Sequence, residues 1–193
     1  MGHRVRAEWM GEQVDTLADL LRPGLAAVVV GINPSTVSVE AGHYYQGTLG
    51  KLLWRRLRTA GLLPVDARPG REDDAAFAAR IGFTDIVKRP SARAHELSAG
   101  EFAHGREALE GKLAEAAPEL VIFTYKKTAT VLRGPFAGHG FAPGIEVAGV
   151  PAFVMPGPYA KSEVAAAAIA ELAEWAGFGG ARGGKARGHE SSS

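Results

Sequence analysis

The stretch Ala27-Val28-Val29-Val30-Gly31-Ile32-Asn33-Pro34-Ser35 decides how the rest of this chain is read. A continuous β-branched run this short is the pattern of a strand buried on both faces, and Gly31, Asn33 and Pro34 end it abruptly. In open α/β sheets, ligands bind in the crevice beyond the carboxyl ends of the strands. An Asn just past such a strand is therefore a candidate functional group. The competing reading is that Asn33 bonds its own backbone and shapes a turn, as Asn before Pro commonly does.

Working outward, residues 11–22 put Val14, Leu17, Leu20 and Leu21 near helical spacing before Pro23-Gly24, which predicts a short amphipathic helix feeding the first strand. After Pro34, the polar span Ser35 to Gly47 reads as a loop, of a length that is often functional, carrying Tyr44 and Tyr45. Thr48 to Ala60 predicts a helix with Leu49, Leu52, Leu53 and Leu57 inward and Lys51, Arg55 and Arg58 on a solvated face. A surface connection over 62–74 and a short helix from about Ala75 to Arg80 follow.

Gly82 to Pro90 reads as a second strand running out into a loop; Asp85 interrupts its apolar character. That carboxylate is either a solvated edge residue or a group aimed into the crevice. Ser98 and Glu101 have capping-box spacing and open a helix to about Ala116. Glu119 to Tyr125 is a third strand, and Lys126 to Leu132 a short helix. The span 133–144 reads as irregular. Ile145 to Met155 predicts two strands around Gly149, with Pro156-Gly157-Pro158-Tyr159 as a rigid loop behind them. Ser162 starts a last Ala-rich helix to Trp175, and from Gly177 onward no apolar period survives.

Strands alternating with helices imply an α/β fold whose parallel-dominated sheet is covered on both faces. At 193 residues and 46% hydrophobic composition, one domain is expected, over residues 1–178, with 179–193 as a disordered tail. No apolar run is long enough to cross a bilayer, and Met1 to Arg6 lacks the apolar core of a secretory signal. A soluble, cytoplasmic protein with no membrane partner is the expectation, and a monomer the simplest assembly. Cysteine is absent, which removes disulfides, thiolate zinc sites and Cys-ligated clusters. The net charge of +1 does not announce a nucleic-acid binder, but local phosphate contacts do not require a basic chain.

Four segments together resemble one family. Gly31-Ile32-Asn33-Pro34, then Ala41-Gly42-His43-Tyr44-Tyr45 with Trp54, then Thr84-Asp85-Ile86-Val87-Lys88-Arg89-Pro90-Ser91, then Pro156-Gly157-Pro158-Tyr159 occur in the order seen in mismatch-specific uracil-DNA glycosylases. These belong, with the thymine-DNA glycosylases, to the uracil-DNA glycosylase superfamily. The likeness covers about residues 23 to 176. It implies a three-layer α/β/α sandwich with a short, mainly parallel sheet. The implied activity is removal of uracil, and often of other damaged or mismatched pyrimidines, from double-stranded DNA, with no metal or organic cofactor.

By this likeness Asn33 helps hold the attacking water, while Gly31, Ile32 and Tyr45 belong to the base pocket, with Tyr45 stacking on the flipped base. Gly157, Pro158, Tyr159, Ala160 and Lys161 match the segment that enters the duplex, with Tyr159 at its tip, and Ser35 is a candidate phosphate contact or turn cap. Two positions depart from the family pattern. Met155 stands where many relatives have Asn or His, and Ser35 where Gly is common. Many relatives have no acid at the place of Asp85. Cleavage of the bond between sugar and base passes through an oxocarbenium-like sugar, and an amide only orients water, whereas a carboxylate also accepts its proton. Asp85 is thus a second catalytic candidate. The alternatives are a non-catalytic binder of extrahelical or damaged bases on the same fold and, more remotely, a nucleotide hydrolase, for which no Gly-rich phosphate loop is present.

Overall fold

The computed structural model describes residues 2–134 and 138–183. Its first element corrects the sequence expectation. Residues 4–17 form an antiparallel hairpin, β1 (Arg4–Trp9) and β2 (Glu12–Leu17), where a helix over 11–22 was expected. Met10 and Gly11 both adopt positive φ, 53° and 85°, the backbone that a two-residue hairpin turn needs to match strand twist. The apolar spacing from Val14 to Leu21 suits a helix, but Leu20 instead exchanges both backbone hydrogen bonds with Phe83. The segment thereby lies along the sheet margin and shields it.

The central sheet has the order β4-β3-β5-β7-β6. Strand β3 (Ala27–Gly31) is wholly buried and pairs in parallel with β4 (Ile81–Asp85) on one side and β5 (Leu120–Phe123) on the other. β7 (Val150–Val154) is parallel to β5, and only β6 (Gly140–Val147) runs antiparallel. β6 begins inside the span expected to be irregular; its register with β7 shifts between Phe141 and Glu146.

Side chains alternate across a strand, so β3 sends Ala27 and Val29 to one face and Val28 and Val30 to the other. The first face packs under α2 (Thr48–Thr59), α3 (Glu72–Ala78) and α6 (Ser162–Gly183), through Leu53, Trp54, Leu57, Ala76, Ile169 and Leu172. The second packs under α4 (Ala99–Ala116) and α5 (Lys126–Arg133), through Leu109, Leu113, Ala129 and Leu132. This is the expected three-layer α/β/α sandwich with a mainly parallel sheet.

Three local differences matter for the site. The span after Pro34 is not all loop: Ser35 caps α1 (Thr36–Ala41), its Oγ accepting from the Ser38 amide. Helix-poor residues such as Thr36, Val37, Ser38 and Val39 hide this turn and a half from propensity. Leu49, expected inward, is 53% exposed at the first turn of α2. α6 continues to Gly183, beyond the Trp175 at which its apolar period ends; the rest of the expected tail, 184–193, lies outside the described residues. The Ser98–Glu101 capping box is formed as read.

Candidate active site

β3 and β4 continue side by side past their formal ends. The Ile86 amide donates to the Gly31 carbonyl and the Val87 amide to the Ile32 carbonyl. This pairing carries the segments 31–34 and 84–91 together to the carboxyl edge of the sheet. There they meet the starts of α1, α2 and α5 around one cavity of about 440 Å³. Asn33, Asp85, Ile32, Tyr45 and Ser35, all singled out from sequence, line it, as do Ser91, Thr124, Tyr125 and the first turn of α2.

Asn33 is held by its amide nitrogen. Nδ2 donates to the Pro34 and Arg89 carbonyls, both at 3.2 Å, and to Ser91 Oγ at 2.9 Å. Carbonyls only accept, so these partners fix which end of the amide faces them. Oδ1 takes part in none of these bonds. The turn reading is thus half right: Asn33 does bond the Pro34 carbonyl, but the same amide also clasps the second motif. Arg89 is in turn anchored by Glu101, with Nε 2.6 Å from Oε1 and Nη2 3.0 Å from Oε2. The Arg89 hydrogen bonds, reinforced by Ser98, hold the Glu101 carboxyl down at about 2. The capping box therefore does more than start α4; it ties down the residue whose carbonyl orients Asn33.

Asp85 is 2% exposed, and neither carboxylate oxygen has a hydrogen-bond partner among the described residues. It is no solvated edge residue, although β4 is the margin of the sheet. Its side chain lies on the α2 face, in register with Gly31. A Cβ added at Gly31 would sit 2.1 Å from Asp85 Oδ1 and 3.0 Å from the Tyr45 hydroxyl, so glycine is what makes room for the acid. Burial pushes the Asp85 carboxyl up to about 7, against the opposing pull of Lys88. Lys88 is itself held by Asp19, which also bonds Thr84 and Lys112. Burial alone would raise the Asp19 carboxyl, but Lys88 and Lys112 outweigh it and keep it below its usual range.

Tyr44 and Tyr45 divide their labour. Tyr44 is 1% exposed in the core, its hydroxyl donating to the Ala18 carbonyl. Tyr45 turns toward the cavity with a φ of 53°, a conformation unfavourable for a bulky residue. Its ring meets Trp54 and Phe83 edge-on, at 5.9 and 6.1 Å between centroids. Its buried hydroxyl, like Asp85, has no partner among the described residues. Burial, with the charge of Asp85 second, pushes that hydroxyl well above its usual range, so it remains a donor. Gly50 lets α2 come this close: a Cβ there would strike the Tyr45 carbonyl at 1.6 Å.

Among the described residues no side chain caps the first turn of α2 or of α5. The opening amides of α2, at Thr48 to Gly50, form the positive end of a helix dipole at the cavity, and α5 starts just behind the lining residue Tyr125. Thr124, Tyr125 and these amides escaped the sequence reading, because no local pattern tells that a helix start will converge on another strand's end.

The 157–161 segment does not line the cavity; it follows β7, whose carboxyl end lies at the same edge of the sheet. Tyr159 is 98% exposed, and Pro158 and Lys161 are exposed as well. The base of the loop is held by Arg56, whose guanidinium donates to the Pro156 and Gly157 carbonyls. Arg56 was hidden among the basic residues of α2, its partners lying 100 residues away. Met155 is 1% exposed in the core and offers nothing to a ligand. Ser35 is occupied as a helix cap, its hydroxyl also bonding Ser38 Oγ at 2.9 Å. Among the described residues no helix is long and apolar enough to cross a membrane.

A buried acid, an oriented amide and helix starts without a side-chain cap among the described residues, gathered around one open cavity, suit a hydrolytic reaction in which charge separates. The family model of the uracil DNA glycosylase superfamily matches residues 18–170, which include all the strands of the sheet and every residue named around the cavity. The chain therefore belongs to the uracil DNA glycosylase superfamily, whose members are DNA-repair hydrolases.

Proposed function

We propose that this protein is a monofunctional glycosylase that releases uracil, preferentially when mispaired with guanine, and leaves an abasic site. The observation that carries the reading is the buried, unpartnered Asp85 carboxylate in the same cavity as the fixed amide of Asn33. In this mechanism Asn33 Oδ1 accepts a hydrogen bond from water and Asp85 takes its proton as the water oxygen bonds to C1′. The bond from C1′ to the base breaks, and its electron pair leaves with the pyrimidine. A carboxyl near 7 is matched to this task at neutral pH, since it is ionised often enough to act and basic enough to accept. The amino-terminal ends of α2 and α5 favour the negative charge that grows on the leaving base. Tyr45 stacks on that base and Ile32 forms part of the wall, while Gly31, behind it, makes room for Asp85.

A base inside a duplex must first be extruded, at a cost of a few kcal/mol that is least for a mismatch. Tyr159 is suited to fill the gap, since a nearly fully exposed aromatic on a braced loop has no packing role in the free protein. Tyr159→Ala is expected to lower kcat/KM on a U:G duplex about tenfold, as loss of one base–aromatic stack does, and to leave single-stranded substrate little affected. The proposal itself is tested by incubating protein with oligonucleotides carrying uracil opposite guanine, opposite adenine or unpaired, followed by alkali. Cleavage at uracil, fastest opposite guanine, is expected. Tight binding without any cleavage would instead mark a non-catalytic reader of damaged bases.

A further inference from the structure

Behind the Tyr44–Tyr45 segment, on the far side from any role assigned above, four potential metal ligands converge. His3, His43, Asp73 and Asp74 each offer one ligand atom, and these atoms all lie within 4.8 Å of one another. They come from three separate pieces of chain: the residue before β1, the turn after α1 and the first turn of α3. No spacing motif links them, so the sequence does not reveal the cluster.

The charge balance points to a cation. Asp73 is 0% exposed and adjoins Asp74, so two carboxylates meet where one has no access to water. Among the described residues no lysine or arginine pairs with Asp73; its ionisable neighbours are His43 Nδ1 at 2.9 Å and His3 Nε2 at 3.8 Å, and its Oδ1 also accepts from the Asp74 amide at 3.0 Å. Arg71 reaches only Asp74, at 3.6 Å. Buried charge is ordinarily paired or bound to a metal. A divalent ion held between the two carboxylates would balance the buried charge directly, with the two imidazoles completing its shell. The spacing also fits. A tetrahedral zinc ion about 2.0–2.2 Å from each donor requires donors about 3.3–3.6 Å apart. Here His3 Nε2 lies 2.8 Å from Asp74 Oδ1 and 3.8 Å from Asp73 Oδ2, His43 Nδ1 lies 2.9 Å from Asp73 Oδ1, and no two of the four ligand atoms are more than 4.8 Å apart. Shifts of under about 1 Å convert this hydrogen-bonded cluster into a coordination shell.

We propose that His3, His43, Asp73 and Asp74 bind one divalent transition-metal ion, zinc by donor set, as a structural staple behind the pocket. The two imidazoles tip this donor set toward zinc, since calcium and magnesium take oxygen ligands. Asp73 also accepts the Tyr44 amide at 2.8 Å through Oδ2, and the His3 amide donates to the Gly42 carbonyl. The ion would therefore lock the amino-terminal strand and the start of α3 to the backbone that presents Tyr45. It takes no part in bond cleavage, and the proposal stands or falls without reference to DNA.

The test uses the full chain, free of any affinity tag, stripped with chelator and titrated with Zn²⁺ or Co²⁺. One equivalent is expected to bind, with the visible ligand-field bands of tetrahedral cobalt, and zinc is expected to raise Tm by linkage. His3→Gln and Asp74→Asn, both at partly exposed ligands whose loss the fold tolerates best, are each expected to weaken binding by about tenfold or more. Their combination is expected to remove the cobalt bands and the Tm shift. No stoichiometric binding by the wild-type chain, or stoichiometric binding that survives in the double variant, overturns the proposal. Uracil release measured in parallel distinguishes this failure from failure of the glycosylase reading, because neither variant touches the cavity.

Discussion

Replacing Asp85 by Asn is expected to lower the rate of uracil release about 10²–10⁴-fold, the usual contribution of a positioned general base. The shape of the pH profile identifies the group. Wild-type activity should fall as pH drops through about 7, where Asp85 takes up its proton, and the residual activity of Asp85→Asn should lack that limb. The same substitution should stabilise the protein. In the folded state burial keeps the carboxyl protonated to about 7, whereas the unfolded chain ionises near 3.8. The unfolded chain therefore loses its proton first as pH rises. Stability linked to Asp85 is complete below about 4 and declines until about 7, by an amount on the order of a few kcal/mol. Asp85→Asn should accordingly melt above wild type at about pH 8, with the difference closing toward pH 4. Wild-type rates in a folded Asp85→Asn variant would remove this acid from the mechanism.

Asn33→Ala is the second large effect expected. Loss of one preoriented polar group in a reacting site costs about 10²–10³ in kcat. Because Asp85 is untouched, the limb near 7 should persist at reduced amplitude, which separates orienting the water from taking its proton. Stability should also drop by about 1–3 kcal/mol, since the Pro34 and Arg89 carbonyls lose their donor. Single-turnover rates on U:G duplex, with melting curves as the folding control, read both. An unchanged kcat would mean that Asn33 only staples the two motifs together.

What could be read in advance followed the range over which each signal acts. The run Val28-Val29-Val30 and its counterpart Val121-Ile122-Phe123 announce buried parallel strands because burial on both faces demands continuous apolar side chains. The Ser98–Glu101 cap was equally legible, being complete within four residues. The hairpin of β1 and β2 was not, because the spacing of Val14, Leu17, Leu20 and Leu21 suits a helix, and only the Met10-Gly11 turn and the pairing of Leu20 with Phe83 decide otherwise. At the site, Asn33 and Asp85 stood out as polar groups interrupting apolar strands. Arg56, Thr124 and the bare starts of α2 and α5 carry no such mark. Each acquires its place only when distant segments meet, as does the His3–Asp73 cluster.

Position 31 has a bearing on the wider family. Its missing side chain and the acid on the neighbouring strand form a linked choice: a methyl group at 31 and a carboxylate at 85 would occupy the same volume. A relative that keeps glycine there is free to gain or lose the acid in one step. One that has replaced the glycine must give up the acid, or turn it elsewhere, before the altered chain can fold.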